Sequence, residues 1–289
     1  AKFCETSYGF RPNRSQEHAV AAAYRLMQKS HMGFVVEFDI KGFFDNVDHS
    51  KLMKQMWALG IRDKRLLYII KRVLQAPIQL EDGTMVTPDK GTPQGGIISP
   101  LLANIVLNEL DWWIESQWQD NPVVWSGKPC YDAKGGPIKS NGYKAMRATR
   151  LKEMYMVRYA DDFRVFCPTA DVAFRAKTAV TQWLKERLRL DISPEKTRVV
   201  SLENQYSEFL GIKMKLRQKK GKMVVHSRVG DKAIQRIRAE AKQKVRAIVR
   251  PQKGNTDIHA IHDYNAFVMG VHNYYRMATA VIVDFAEIG

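Results

Sequence analysis

Cysteine is scarce in this sequence: three residues among 289, Cys4, Cys130 and Cys167, odd in number and far apart. That pattern excludes a disulfide framework, and no pair has zinc-ligand spacing. Three incidental thiols in a reducing cytosol fit it best. No run of about 18 apolar residues occurs, so no membrane span is expected. The basic, apolar, small-residue order of a signal peptide is missing as well. So is an initiator methionine, and the sequence reads as a fragment of a longer protein. Acidic residues are in short supply, 30 against 46 Lys and Arg, for a net charge of +16. Apolar residues make up 45% of the chain, ordinary for a globular protein with a real core.

The surplus of positive charge is uneven. Residues 1–150 carry a net +5 and residues 151–289 a net +11. Most of it sits in 213–250, where 14 basic residues face only Asp231 and Glu240. Such a patch attracts polyanions through phosphate contacts and counterion release. Nucleic acid is the favoured partner on charge, with acidic membranes or proteins as rivals.

Periodicity gives a coarse outline. Ser15 can cap a helix over 15–31. Phe34 to Ile40 alternates as a strand, with Val36, Phe38 and Ile40 on one face and Glu37 and Asp39 on the other. His49 to Gln75 reads as helix broken near Gly60, and Ile78 to Val86 as a hairpin turning at Asp82-Gly83. Ser99-Pro100 reads as a capping hydroxyl and a first-turn proline, opening a helix to about Trp113. Residues 119–147 read as an inserted loop, about 114–150 at its widest. Two β-prone runs flank Ala160-Asp161-Asp162 as a tight hairpin with acids at its tip. A helix over 170–190, short strands in 207–228 and a basic helix over 231–249 follow, the last ended by Pro251. A final helix starts near Ile258. The boundary between two lobes is expected near 229–231.

Phosphoryl transfer asks little covalent chemistry of a protein. It needs divalent ions about 3.5–4 Å apart and acids to hold them. Asp39 ends one candidate strand and Asp161-Asp162 cap a hairpin, so carboxylates from separate strands could gather on one edge. Singly, each is more often a turn or cap residue. Their joint context is more specific. Phe38-Asp39-Ile40-Lys41-Gly42-Phe43-Phe44-Asp45 resembles polymerase motif A of reverse transcriptases. Gly91-Thr92-Pro93-Gln94-Gly95-Gly96-Ile97-Ile98-Ser99-Pro100-Leu101-Leu102 resembles motif B, and Tyr159-Ala160-Asp161-Asp162 resembles motif C. They occur in that family's order. Tyr8 to Ser15 looks like the block preceding motif A in group II intron and retron-like enzymes. Ser193-Pro194-Glu195-Lys196-Thr197 resembles motif D, and Phe209-Leu210-Gly211-Ile212 the primer-grip turn. Tyr264-Asn265 and Gly270-Val271-His272-Asn273-Tyr274-Tyr275 look like the thumb of group II intron maturases. The resemblance covers nearly the whole chain.

The resemblance implies roles, residue by residue. Asp39 and Asp161 would hold two Mg2+ ions, with Asp162 beside them and the Ile40 carbonyl as a backbone ligand. Phe44 would exclude a ribose 2′-hydroxyl, although one of Phe43 and Phe44 must be core. Gln94 and Gly95 would line the nucleotide pocket, and Lys196 would approach the triphosphate. Pro93, Leu210 and Gly211 would meet template or primer, as would Lys232, Arg236 and Lys242 on the basic helix. Arg11 and Arg14 could contact template or triphosphate, or make a surface ion pair. His259 and His262 lack a third ligand for a metal, and Trp112, Trp113, Trp118 and Trp125 read as core or interface.

The implied fold is an α+β right-hand polymerase with an antiparallel palm sheet, partial fingers and an α-helical thumb. Residues 1–229 would form partial fingers and palm, and 230–289 a thumb like domain X. The family's finger segments upstream of Tyr8 are missing, as is a Cys/His endonuclease module after the thumb. The implied function is RNA-directed DNA synthesis by a group II intron protein in a bacterial cytoplasm. Its partners would be deoxynucleotides, an RNA template with DNA primer, and the intron RNA. A homodimer through tryptophans of the insertion stays open. The alternative is an RNA-binding splicing maturase with polymerase activity secondary or absent. A retron or diversity-generating enzyme is disfavoured by the segment around Asn273-Tyr274.

Overall fold

The computed structural model describes residues 3–29, 31–79, 81–93, 95–121, 130–133, 135, 137–138, 140–250 and 257–286. Two compact units divide between Val200 and Ser201. This lies ahead of the 229–231 expected from the sequence, because the strands of 207–229 pack with the C-terminal helices.

In the first unit the helices begin where side chains satisfy free backbone amides. Ser15 caps α1 (Gln16–Met27), accepting from His18 N while the His18 ring returns a bond to Ser15 N. Asp48 caps α2 (His49–Ala58), and Asp63 caps α3 (Lys64–Leu74). The break between α2 and α3 contains Gly60 at φ +94°, as expected. β1 (Phe34–Phe38) is followed by a single 3₁₀ turn, Phe43–Asp45. β2 (Ile78–Gln79) and β3 (Met85–Val86) form the expected hairpin, with Asp82 accepting from Thr84 N.

α4 (Ser99–Gln117) runs a turn further than the sequence suggested. Ser99 does not cap it: its hydroxyl donates to the Pro93 carbonyl, 2.7 Å, and so closes the preceding loop. The insertion is not all loop. It contains the short pair β4 (Cys130–Tyr131) and β5 (Pro137–Ile138) and the helix α5 (Ser140–Arg147). β6 (Tyr155–Tyr159) and β7 (Asp162–Cys167) form the acid-tipped hairpin. α6 (Ala170–Trp183), capped by Thr169, continues into a wider π-type turn over Leu184–Leu188. The expected helix over 170–190 is therefore irregular at its end, where Leu184, Leu188 and Leu190 are all buried.

The four-stranded sheet of this unit has the order β6-β7-β1-β8, with β8 at Arg198–Ser201. β1 and β7 pair antiparallel from Phe34↔Cys167 to Phe38↔Phe163. Val36, Phe38, Phe163 and Val165 join Leu52, Met56, Leu102, Val106, Ala173 and Val180 in one core. Glu37, on the opposite face as alternation requires, accepts from Arg198 Nε at 2.6 Å.

The second unit opens with a three-stranded antiparallel sheet ordered β11-β10-β9. β9 is Ser207–Phe209, β10 Ile212–Lys219 and β11 Lys222–Val229. The two long strands replace the short ones expected. α7 (Asp231–Val249), α8 (Asp257–Tyr275) and α9 (Val281–Ala286) complete it. The buried Asp284 carboxylate anchors α9 to β11, accepting from Arg228 Nε at 2.6 Å and Val229 N at 2.8 Å. No helix of the described residues is long and apolar enough to cross a membrane.

Candidate active site

β1 stops at Phe38, and Asp39 follows at the end of this central strand. The Phe38 ring stacks on Phe163 with centroids 4.8 Å apart and planes 9° from parallel. The stack sits immediately before Asp39 and immediately after Asp162, so it pins both strand ends. Antiparallel register then brings the two acidic segments side by side. On its other flank Asp39 is held by residues 191–197. Its carbonyl accepts from Ser193 N, 2.8 Å, and its amide donates to Thr197 Oγ1, 3.3 Å. This pairing sets Lys196 Nζ 3.5 Å from Asp39 Oδ2.

The hairpin between β6 and β7 turns in two residues, Ala160 and Asp161, because Tyr159 pairs with Asp162. Ala160 takes a left-handed φ of +57°, which a residue with a Cβ adopts only under outside constraint. Arg158 supplies part of that constraint. Its guanidinium is fully buried and donates to the Ala160 carbonyl, 2.7 Å, to Asn104 Oδ1, 3.0 Å, and to Ser7 Oγ, 2.8 Å. Its Nε and Nη2 meet the two oxygens of the buried Asp111. Asn104 passes the network on to the Gly9 carbonyl, 2.7 Å. Gly9 lies so close that a Cβ there would be 2.5 Å from Ala160 N.

Asp39, Ile40, Phe44, Pro93, Gly95, Asp161 and Lys196 line one cavity of about 660 Å³. Seven residues singled out in the sequence are thereby brought together. Phe43 is the buried ring of its pair and Phe44 the half-buried one, edge-on to it at 5.4 Å. The Phe44 carbonyl accepts from Thr92 N at 2.7 Å. Gly91 makes this approach feasible: its φ is +91°, and a Cβ would come within 3.1 Å of the Asp45 and Phe44 backbone. Gln94 lies outside the described residues.

Burial raises the Asp161 carboxyl above the usual carboxylate range, and the neighbouring Asp39 adds to the rise. Burial also raises Asp162, while its ion pair with Arg164 pulls the other way. Asp162 is thus turned toward Arg164 rather than into the cavity lining. No group of three or more His, Cys, Asp or Glu side chains is pre-arranged for a metal among the described residues. The lining nonetheless supplies hard oxygen donors, the carboxylates of Asp39 and Asp161, with Ile40 next to Asp39. A divalent cation sharing its shell with substrate phosphates suits that set.

The remaining candidates lie elsewhere. Arg11 is turned inward, donating to the Cys4 and Ser7 carbonyls at 2.5 and 2.8 Å. Arg14 makes the ion-pair alternative, to Glu5, with its guanidinium over the Tyr8 ring. Both brace the 3–14 loop. In the second unit, Leu210 and Gly211 form a two-residue turn with φ of +53° and +75°. Tyr274 donates to the Leu210 carbonyl, 3.2 Å, and Gly230 N to that of Gly211, 2.8 Å. Lys232, Arg236 and Lys242 are exposed on α7, and His259 and His262 are exposed on α8. Trp118 is buried, donating to Tyr155 Oη at 3.2 Å, and Trp113 stacks on Trp183. Trp112 is exposed, and Trp125 lies outside the described residues.

The sequence reading missed Arg158, Asp111, Asn104 and Gly9. A charged residue inside an apolar strand run, and an Asp among apolar helix residues, were the available signals.

Residues 1–214 match the reverse transcriptase (RNA-dependent DNA polymerase) family. Over 334 residues the chain is 29% identical to the group II intron-encoded protein LtrA of Lactococcus lactis subsp. cremoris, covering 96% of this chain and 54% of LtrA. It is 30% identical over 241 residues to the protein YkfC of Escherichia coli K12, covering 78% and 60%. A nuclear intron maturase 2 of Arabidopsis thaliana mitochondria is 23% identical, covering 66% and 32%. The chain thus spans about half the length of LtrA. Among solved structures, apo telomerase from Candida tropicalis superposes with a TM-score of 0.52 at 10% identity, covering 98% of this chain and 50% of that one. Telomerase from Candida albicans gives 0.51 at 12% identity, covering 98% and 44%. The architecture is the α+β right-hand polymerase fold, and the chain belongs to the reverse transcriptase family.

Proposed function

We propose that this chain is the polymerase core of a group II intron-encoded protein, adding deoxynucleotides to a DNA primer on an RNA template. The convergence of Asp39 and Asp161 in one cavity with Phe44 and Lys196 carries the reading. The whole protein would also bind its intron RNA to assist splicing and mobility.

In this reading the primer 3′-oxygen attacks the α-phosphorus of the nucleotide and the bond to pyrophosphate breaks. Asp39, Asp161 and the Ile40 carbonyl would hold two Mg2+ ions, which supply charge neutralisation and a lowered pKa for the attacking hydroxyl. Asp162, paired to Arg164, braces the hairpin beside them. Phe44 presents its ring to the sugar and leaves no room for a 2′-hydroxyl. Gly95 keeps the wall of the cavity open to backbone approach. Lys196 offers positive charge, or a proton, to the leaving pyrophosphate. The Leu210-Gly211 turn and the cations of α7 (Lys232, Arg236, Lys242) would hold primer and template without reading sequence.

Primer extension by Asp161→Asn and Asp39→Asn proteins tests this. Each variant is expected to lose at least about 10²–10³ of the extension rate while RNA binding and folding persist. Extension at the wild-type rate by either variant would overturn the polymerase reading. Intron splicing measured beside it separates copying from the maturase role.

A further inference from the structure

The β10–β11 hairpin has two unlike faces. Its register pairs Lys213 with Arg228, Lys215 with His226, Arg217 with Val224 and Lys219 with Lys222. Cross-strand partners share a face, so these eight side chains stand together. The opposite face carries Ile212, Met214, Leu216, Ser227 and Val229, all buried. One side of the hairpin therefore belongs to the core of its unit, and the other is a ladder of cations.

Neutralisation on that ladder is confined to one end. Lys213 pairs with Asp231, and Arg228 with Asp284. Glu208 lies opposite Lys213 on β9. Toward the hairpin tip no acid follows. Among the described residues, no carboxylate lies within ion-pair distance of Lys215, Arg217, Lys219, Lys220 or Lys222. The Lys215 ammonium instead lies over the Tyr206 ring, 4.7 Å from its centroid. Tyr206 in turn is hydrogen-bonded to His226 Nδ1, 3.1 Å. The His226 ring is held toward its neutral form by burial and then by Arg217, Lys215 and Arg228. Burial is the larger cause, the three cations add to it, and Asp284 opposes them.

We propose that this ladder, centred on Lys215, Arg217, Lys219 and Lys222, is a second nucleic-acid contact that grips the phosphate backbone of an RNA strand. It deepens the reading given above and rests on it, since it assumes that the chain binds RNA. Same-face residues along a strand repeat at about 6.8 Å, the order of the step between neighbouring phosphates. The ladder thus presents cations in a row rather than a point. Base stacking is not its mode, because the Tyr206 face is already covered by Lys215. An anionic membrane fits less well. The ladder has Val224 as its one apolar member, too little to insert into lipid.

The test uses the full chain and a fluorescein-labelled, mixed-sequence RNA strand without primer. Anisotropy gives the affinity over a series of salt concentrations. Wild type is compared with a variant carrying K215Q, R217Q, K219Q and K222Q together, and with one carrying arginine at the three lysines. For single strands each neutralised phosphate contributes about 0.7 to the slope of log K against log salt. The glutamine variant should lose about 2–3 from that slope, and the arginine variant should keep it. Extension of a saturating template–primer should remain, since none of the four lines the catalytic cavity. An unchanged slope in a glutamine variant with wild-type circular dichroism and melting temperature overturns the proposal. So does a loss of binding to phosphatidylserine vesicles with RNA binding intact. Asp161→Asn separates this from the catalytic reading: dead in extension, it should retain the wild-type slope.

Discussion

The Arg158 guanidinium donates to both carboxylate oxygens of Asp111, at 2.6 and 2.5 Å, and neither side chain is reached by solvent. One comes from the strand that leads into the acidic turn and the other from the helix behind it. Removing one partner leaves a buried, uncompensated charge. Asp111→Ala is expected to cost about 3–5 kcal/mol, read from urea unfolding midpoints. Asp111→Leu combined with Arg158→Leu should cost less than the two single changes summed. Additive costs would show that the two side chains do not act as a pair.

Gly9 couples this support to the chemistry. A methyl group there would sit 2.5 Å from Ala160 N, one residue from Asp161, so the turn must shift. A displacement of about 1 Å at a reacting group can cost on the order of 10²-fold in rate. Gly9→Ala should therefore lower kcat for extension by about 10–100-fold, with a smaller effect on RNA affinity. Extension at the wild-type kcat, with the variant folded, would refute the coupling.

Much of this was legible because the informative residues are neighbours in sequence. Alternation over Phe34 to Ile40 put Glu37 opposite Phe38, and the ion pair of Glu37 with Arg198 has that geometry. The tip at Ala160-Asp161 also followed from local pattern. The Arg158–Asp111 pair was not legible, since its members are 47 residues apart and nothing local announces a partner. Ser99 shows another limit. A Ser-Pro start looks like a cap, but the hydroxyl bonds to Pro93 because the glycine-containing loop before α4 folds back onto it. The long β10–β11 ladder looked like fragments because its basic face breaks any apolar run.

Phe44 makes a selectivity prediction. With Phe43 in the core, its ring is the half-buried one lining the cavity that holds Asp39 and Asp161. Phe44→Val should raise ribonucleotide use relative to deoxynucleotide by about 10–200-fold, the span of one steric discrimination. Single-nucleotide incorporation with each substrate measures the ratio. An unchanged ratio would assign the sugar choice elsewhere.

Glu115 makes a pH prediction away from the cavity. Its carboxyl is pushed up to about 7, first by burial and further by the hydrogen-bonded Asp120 beside it. The folded chain then holds a proton that the unfolded chain releases near its ordinary value of 4.5. A raised acid favours folding while protonated, so the contribution is present below about pH 4.5 and is lost as pH rises through 7. Glu115→Gln should remove this loss. Its stability advantage over wild type should be larger at pH 8 than at pH 5, measured as urea midpoints. Equal differences at both pH values would contradict the assignment.

Asp39 N bonds to Thr197 across 158 residues of chain, and β1 finds its partner β7 only after the whole insertion has been made. Asp39 is therefore made before every partner that aligns it, first β7 and then residues 191–197. Closing so long a loop costs configurational entropy before any contact repays it. The site that joins Asp39 to Asp161 thus forms late in biosynthesis, and a chain stopping at the insertion would lack it altogether.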